Sequence, residues 1–379
     1  MFGHPDTQSK GSSVLMLAVV QDDTPSTLAL LKRGARDIDA RAEAPDAYGF
    51  RDSRPLLLVA SQHGNLEIVQ ALLDRGAKRD VRNAEGHTAL MEVIISLAEI
   101  HGDTTQQKPA REAATRKYRA TMRLLLDRGV PLEATDVQGF TALWLAALVD
   151  EPELVSDLLD RHADPNRADP AREWTPLNAA IHSNDVALVE LMLAKGADIN
   201  SHAADPPLLF ALKRDKLFNV PNPNMLRLLL ERGADIHARR RPDPNDEGSN
   251  VTAMLMATEL TARAHVKETF QLLLSYGADI EERNKEGRTA LMLVTEQGNV
   301  PTVRYLLDHG AHLNAHDLED ETPLHLAVDE DNQPVVTLLL KRGAKVNARN
   351  AAGETPLDRA LARKDKALIA LLKEYGATR

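Results

Sequence analysis

TPLHLAVDEDNQPVVTLLLKRGAKVNAR, from Thr322 to Arg349, contains in one stretch the pattern that recurs along this chain of 379 residues. It begins with Thr322, a favourable helix N-cap, and Pro323, a favourable first helical residue. It ends with a leucine run and Gly343, where a helix can terminate in a left-handed residue. The same closing slot recurs at positions 34, 76, 129, 162, 196, 233, 277, 310, 343 and 376, with histidine at 162, and the last three gaps are 33 residues each. Such a period indicates stacked units rather than one globular core.

The opening landmark precedes most of these closing slots by about 21 residues. It reads Thr-Pro-Leu at Thr175 and Thr355, and Thr-Ala-Leu at Thr88, Thr141 and Thr289. Between the two landmarks, apolar residues recur at three- and four-residue steps, which predicts two short amphipathic helices per unit. One such pair cannot bury both apolar faces alone, so each unit must pack on its neighbours.

The 33-residue period, the TPLHLA core at Thr322–Ala327 and turns such as Gly196-Ala-Asp-Ile-Asn200 resemble the ankyrin repeat family. The resemblance covers essentially the whole chain. It implies an all-α fold, an ankyrin-repeat solenoid of stacked helix-turn-helix units joined by β-turn or hairpin fingers, with a concave binding face. It also implies that the imidazole of His325 links neighbouring turns by hydrogen bonds. The expected repeats are 10–40, 41–83, 84–136, 137–169, 170–202, 203–240, 241–284, 285–317, 318–350 and 351–379.

Composition limits the function classes. The formal charge of −10 and the sequence pI of about 5.7 disfavour a nucleic-acid partner. No run of 18 apolar residues occurs, so no membrane span is expected. The apolar run Val14–Val20 lacks a basic leader and a cleavage site, and it fits the first helix of the first repeat. We therefore expect a cytoplasmic protein; the sequence does not fix the oligomeric state, and a monomer is the working expectation.

No constellation of side chains predicts catalysis. Cysteine is absent, and neither a Gly-rich phosphate loop nor a G-x-S-x-G elbow occurs. His309, His312 and His316 are close in sequence but do not share one helix face at the spacing that a helical zinc site uses. The sequence predicts no enzyme, no cofactor and no metal.

Irregular repeats show where this chain departs from the pattern. The third repeat carries about 20 extra residues within 99–120, and we expect its second helix to begin early and to project beyond the stack. The exposed part would carry Arg111, Arg116, Lys117 and Arg119. This insertion is either a solvated helix extension or part of a binding site. A second insertion, Arg41 to Arg54, lengthens the turn between the first two repeats.

The binding surface is predicted from slots that the family leaves exposed, chiefly the residue before each capping threonine. Phe140 and Trp174 place large aromatic side chains there in neighbouring repeats, which is typical of a protein-binding hot spot. Trp144 either joins this exposed cluster or packs between repeats. The predicted contact residues are Val137, Phe140, Trp144, Leu148, Val149, Trp174, His182, Arg288, Glu321 and Glu330.

Glu321 and Glu330 belong to an acidic stretch in the eighth and ninth repeats, which either solubilises the chain or attracts a basic partner. The predicted function is a non-catalytic protein–protein interaction module, a scaffold or adaptor. One alternative is an inhibitor or immunity-type protein that blocks a partner enzyme. A second is an effector with enzymatic activity.

Overall fold

A computed structural model describes ten pairs of antiparallel helices in residues 14–45, 51–102, 108–170, 173–201, 205–213, 221–240, 251–260 and 266–378. The chain divides into two compact units, Met1–Asp198 and Ile199–Arg379, with five helix pairs in each. The structure confirms the all-α fold class. The boundaries of the individual repeats stay a prediction.

The first unit also contains two short strands. Its elements are α1 (Val14–Val20), α2 (Thr24–Lys32), β1 (Arg41–Pro45), β2 (Arg51–Pro55), α3 (Leu56–Gln62), α4 (Leu66–Asp74), α5 (Ala89–Gly102), α6 (Lys108–Asp127), α7 (Ala142–Leu148), α8 (Pro152–Asp160), α9 (Pro176–Ser183) and α10 (Val186–Ala194). Each odd-numbered helix packs on the next odd-numbered one, and each even-numbered helix on the next even-numbered one.

The second unit consists of helices joined by loops and turns in its described residues, with no β-strand. Its elements are α11 (Pro207–Leu212), α12 (Pro223–Glu231), α13 (Ala253–Thr258), α14 (Val266–Ser275), α15 (Ala290–Glu296), α16 (Val300–Asp308), α17 (Pro323–Asp329), α18 (Gln333–Lys341), α19 (Pro356–Arg363) and α20 (Lys366–Glu374). Small and aliphatic side chains form the interior; for example, Ala327, Val336 and Leu339 are fully buried. In the part of the chain that the structure describes, no helix is long and apolar enough to cross a bilayer.

Both landmarks of the sequence pattern form the predicted helix ends. The hydroxyls of Thr141 and Thr289 accept hydrogen bonds from Trp144 N and Met292 N, as N-caps do. At the closing slot the backbone is left-handed, with φ of 94° at Gly310 and 65° at His162. The histidine therefore adopts the conformation that glycine favours elsewhere. Ser13, which stands 21 residues before Gly34, where most repeats have the capping threonine, lies outside the described residues.

The two insertions form more structure than the sequence predicted. The insertion in the third repeat lengthens both of its helices, because α5 has 14 residues and α6 has 20, whereas α3 has 7. The sequence predicted an early start of the second helix, and the first helix is lengthened as well. Between α2 and α3, β1 pairs antiparallel with β2, from Arg41↔Pro55 to Pro45↔Arg51. A plain lengthened turn was expected there.

Loops within the helix pairs contact the next pair through a left-handed residue. Asp22 (φ 55°) accepts a hydrogen bond of 2.7 Å from Asn65 Nδ2, and Asn65 is the N-cap of α4. Asp150 (φ 57°) meets Asp185, the N-cap of α10, so two carboxyl groups face each other. Burial and the neighbouring Asp185 raise the pKa of Asp150 to about 6.

Asp150→Asn is expected to stabilise the fold at neutral pH. An acid with a higher pKa in the folded chain than in the unfolded chain, where it is about 3.9, binds a proton on folding. The stability that this pair contributes is therefore present below about pH 4 and is lost as the pH rises through 6. Asparagine cannot ionise, so the gain should be larger at pH 7.5 than at pH 4, and at most about 1 kcal/mol because solvent screens the pair.

Thermal unfolding at the two pH values measures this effect. Asp320→Asn is the matched control, because Asp320 is also left-handed (φ 56°) but its carboxylate lies 3.2 Å from His316. An equal gain at both pH values for Asp150→Asn would show that the backbone conformation, not the removal of an ionisable carboxyl group beside Asp185, causes the stabilisation.

Candidate protein-binding surfaces

The segments between one helix pair and the next form tight turns, here called fingers. In two of them an aspartate fixes the tip. Asp136 Oδ1 accepts hydrogen bonds of 2.9 Å from the backbone N–H groups of Gln138 and Phe140. Asp317 Oδ1 accepts equivalent bonds from Glu319 (3.0 Å) and Glu321 (2.9 Å). Because the side chain occupies the interior of the turn, the finger holds one conformation.

Adjacent fingers are also joined through their backbones. Val137 N donates to Glu85 O at 2.9 Å, and Leu318 N donates to Glu286 O at 3.0 Å. This bond fixes the second residue of each finger at the tip with its side chain in solvent. Val137 is 72% exposed and Leu318 is 76% exposed. Val137 was among the predicted contact residues and Leu318 was not, although both directly follow the finger aspartate.

Phe140 and Trp144 do not stand exposed. Their rings stack with centroids 3.8 Å apart and planes inclined by 15°, and the two side chains are 7% and 4% exposed. The expectation of an exposed Phe140 was wrong, because the indole one helical turn away covers the phenyl ring. For Trp144 the structure selects packing over exposure.

The remaining predicted residues of the first unit are half-buried. The Trp174 and His182 rings lie 6.5 Å apart between centroids and are tilted by 35°. Asp169 Oδ2 accepts a 2.9 Å bond from Trp174 N and so fixes the backbone that carries the indole. Leu148 ends α7 and Val149 caps it, both partly accessible. The structure therefore leaves Trp174 as the large accessible aromatic side chain of the predicted set.

An acidic groove of about 670 Å³ lies over α15, α17 and α19 in the second unit. Three basic side chains line it, Lys285, Arg288 and Arg359. Its seven carboxylates are Glu286, Glu296, Asp317, Glu319, Glu321, Asp329 and Glu330. They leave a net formal charge of −4. Leu318 lies on the same wall and gives the groove an exposed apolar side chain.

Arg288 lies among these carboxylates rather than facing solvent alone. Its Nε is 3.2 Å from Asp317 Oδ2, and its Nη1 is 3.2 Å from both oxygens of Glu296. Burial lowers the pKa of the guanidinium, but the hydrogen bond to Asp317 and the surrounding acidic charges outweigh burial and raise it. The predicted Arg288 is thus a structural cation of the groove wall.

Arg359 is the corresponding cation beside Glu321. Glu321 was expected to be exposed, but it is only 7% exposed. Glu321 pairs with Arg359 and accepts a 2.8 Å bond from Asn350 Nδ2. The Glu321 carboxylate turns inward because it gains these partners. Asp317 is likewise buried, at 5% exposure, because it pairs with Arg288. Glu330 is exposed as predicted, at the end of α17.

Family models for ankyrin repeats match residues 145–240 and 254–350, each as three copies, and a further single-repeat model matches residues 53–84. These matches cover more than half of the chain. The chain belongs to the ankyrin repeat family.

Curated ankyrin repeat proteins are similar over parts of their length. Ankyrin repeat and KH domain-containing protein mask-1 of Caenorhabditis elegans is 28% identical over 66% of this chain and 9% of its own length. Human ankyrin repeat and SOCS box protein 6 is 33% identical over 48% of this chain and 46% of its own. Human Rabankyrin-5 is 26% identical over 50% of this chain and 18% of its own length. The chain thus spans less than half the length of each.

The ankyrin repeat histidine has the role that the resemblance implied. Thr322 N donates to His325 Nδ1 at 3.2 Å, so this nitrogen accepts. Nε2 then carries the proton and donates to Glu354 O at 3.2 Å, which joins α17 to the next finger. Burial lowers the pKa of His325, and the neutral ring suits this pair of bonds.

The other histidines of interest do not converge. His309 stacks on Tyr305 with centroids 4.0 Å apart, while His312 lies 3.2 Å from Glu281 and His316 lies 3.2 Å from Asp320. Across the described ankyrin repeats, no three His, Asp or Glu side chains are grouped as metal ligands.

Proposed function

We propose that this ankyrin repeat chain, a protein-interaction module, is a non-catalytic adaptor that binds a protein partner through its fingers and the helix faces beside them. One observation carries the proposal. Val137 and Leu318 occupy the same finger position in different units and are 72% and 76% exposed. A rigid tip with an exposed aliphatic side chain loses little conformational entropy on binding and gains from desolvation.

In the first unit, the proposed contact area is an aromatic patch, defined as Val137, Trp174 and His182. Trp174 is anchored through its backbone to Asp169, and the accessible part of its indole is available to a partner. Tryptophan contributes more often than most residue types to the centre of protein interfaces. Phe140 and Trp144 form a buried stack in the same unit and are not part of the patch.

In the second unit, the acidic groove is complementary to a basic segment of a partner. Five of its carboxylates are engaged by Arg288 or Arg359, namely Glu286, Glu296, Asp317, Glu321 and Asp329. Glu319 and Glu330 are exposed on the same groove. A basic segment with one apolar side chain would place its charges on these carboxylates and its apolar group on Leu318.

Trp174→Ala is expected to weaken partner binding by about 30-fold, corresponding to about 2 kcal/mol. Because the indole is only half-buried, the loss of fold stability should be small beside the loss of binding. The experiment is quantitative capture from an extract of the source cells with the full chain as bait, followed by titration with the purified partner. Leu318→Asp is a second test variant, since it adds a charge at the exposed finger tip.

The matched control is Tyr276→Ala, which removes an aromatic side chain of 39% exposure at the end of α14. The proposal predicts a partner that is lost with both test variants and retained with the control. A partner retained with Trp174→Ala and Leu318→Asp but lost with Tyr276→Ala would place binding on another surface.

A further inference from the structure

A basic pocket of about 530 Å³ lies between the end of α5 and the first half of α6, in the part of the third repeat that the insertion lengthens. The basic pocket is defined by Lys108, Arg111, Arg116, Arg119 and His101, and Glu112 is the carboxylate on its wall. This excess of positive charge occurs in a chain whose formal charge is −10.

The second half of α6 neutralises its own basic residues. Arg119 lies 2.9 Å from Glu151 Oε2 and 2.7 Å from Glu153 Oε2. Arg123 lies 2.6 Å from Asp157 Oδ2. Contrary to the expectation that it projects into solvent, Arg119 is therefore held against α8 by two carboxylates.

Three basic residues of the first half of α6 have no such compensation. Lys108 and Arg116 are exposed, Arg111 is half-buried, and none of the three forms an ion pair with any described residue. They belong to the N-terminal half of a 20-residue helix, whose N-terminal end carries a partial positive charge. All these charges act in the same direction and favour an anion.

The pocket is also held in place. Tyr118 and Thr121 fasten α6 by donating hydrogen bonds of 2.8 Å to the backbone oxygens of Gln62 and Gly64. On the pocket side, His101 Nε2 is 3.0 Å from Thr115 Oγ1, and His101 Nδ1 is 2.9 Å from Glu151 Oε1. These bonds fix α5 and α6 relative to each other, so the backbone that carries Arg111 and Arg116 is held in place.

We propose that the basic pocket binds a short acidic segment of a protein, with its carboxylates on Lys108, Arg111 and Arg116. A volume of about 530 Å³ accommodates a few side chains rather than a long polyanion. A nucleic acid would extend beyond the pocket into the field of a chain with a net charge of −10. This contact is separate from the aromatic patch and the acidic groove, and it would attract an acidic rather than a basic partner.

The test is fluorescence anisotropy with the full chain and a fluorescein-labelled hexaglutamate peptide. Arg111→Glu/Arg116→Glu is expected to weaken binding on the order of tenfold or more, since reversing two charges turns attraction into repulsion. Lys32→Glu/Arg33→Glu is the matched control, because both residues are exposed at the end of α2 and the net charge changes equally. The affinity of the control variant for hexaglutamate should lie within about twofold of that of the unchanged chain. Added salt should weaken the binding of hexaglutamate to both proteins.

Equal weakening by the two double variants would overturn the proposal, because total charge rather than the pocket would then govern binding. So would the absence of hexaglutamate binding to the unchanged chain, or tighter pocket-dependent binding of a labelled DNA duplex. Circular dichroism checks that the variants keep their helices. If the charge-reversed variant fails to fold, Arg111→Gln/Arg116→Gln serves instead, with the same ordering of affinities expected.

Discussion

Trp144→Ala should lower the free energy of unfolding by about 3–5 kcal/mol, the usual cost of removing a buried aromatic side chain. The indole is 4% exposed and stacks on Phe140, so its removal leaves a cavity and uncovers the phenyl ring. Urea unfolding followed by far-ultraviolet circular dichroism measures the change. The effect should be confined to the first unit, since repeats are stabilised mainly by their neighbours.

Trp144→Phe is the control for this prediction. It keeps a ring against Phe140 and removes the indole N–H, which is buried without a hydrogen-bond partner among the described residues. The free energy of unfolding should fall by less than about 1.5 kcal/mol. Removing a buried N–H group that has no partner offsets part of the cost of the smaller side chain. If Trp144→Ala cost no more than Trp144→Phe, the stacked pair would not stabilise the fold.

Arg359→Met should lower the free energy of unfolding by about 3 kcal/mol at neutral pH. Arg359 pairs with Glu321, Asp329 and Glu354, and its removal leaves the buried Glu321 carboxylate without a cation. Breaking a buried pair on one side costs about 3–5 kcal/mol, and the lower end applies because Arg359 is 23% exposed. Burial alone would lower the pKa of Arg359, but the neighbouring carboxylates outweigh burial and raise it. This direction is consistent with a stabilised cation.

The pH dependence distinguishes this electrostatic cause from lost packing. Carboxylates become protonated as the pH falls towards 4, so the deficit of Arg359→Met should shrink there. Arg342→Met is the matched control, because its 2.7 Å pair with Asp308 is largely solvent-exposed and should cost at most about 1 kcal/mol. A deficit that stays constant from pH 7 to pH 4 would contradict the role assigned to Arg359.

The repeat pattern predicts the helices because each landmark acts locally. Threonine caps, proline at the first helical position and glycine at the closing slot determine where a helix begins and ends within a few residues. Even the exception at His162 takes the left-handed conformation, since the stack on both sides imposes it. The role of His325 likewise follows from a short motif that recurs at a fixed distance from the next finger.

The exposure of single side chains depends on partners that are distant in sequence or outside the motif. Phe140 is buried because Trp144 replaces the usual histidine, and Glu321 is buried because Arg359 reaches it from the tenth repeat. The exposure of Leu318 could have been predicted from the sequence, since Leu318 follows the finger aspartate as Val137 does. The last four residues of α5 could not be predicted as helical, because residues 99–102 carry no helix signal distinct from that of a loop.

Site-specific photo-cross-linking tests the central claim, that partners bind at the fingers, most directly. A benzoylphenylalanine at position 137 or 318 replaces a side chain that is more than 70% exposed, so the fold should be kept. We predict a discrete cross-linked partner from these two finger tips and none from the same group at position 276, at the end of α14. Cross-links that form at position 276 but at neither finger tip would contradict the claim.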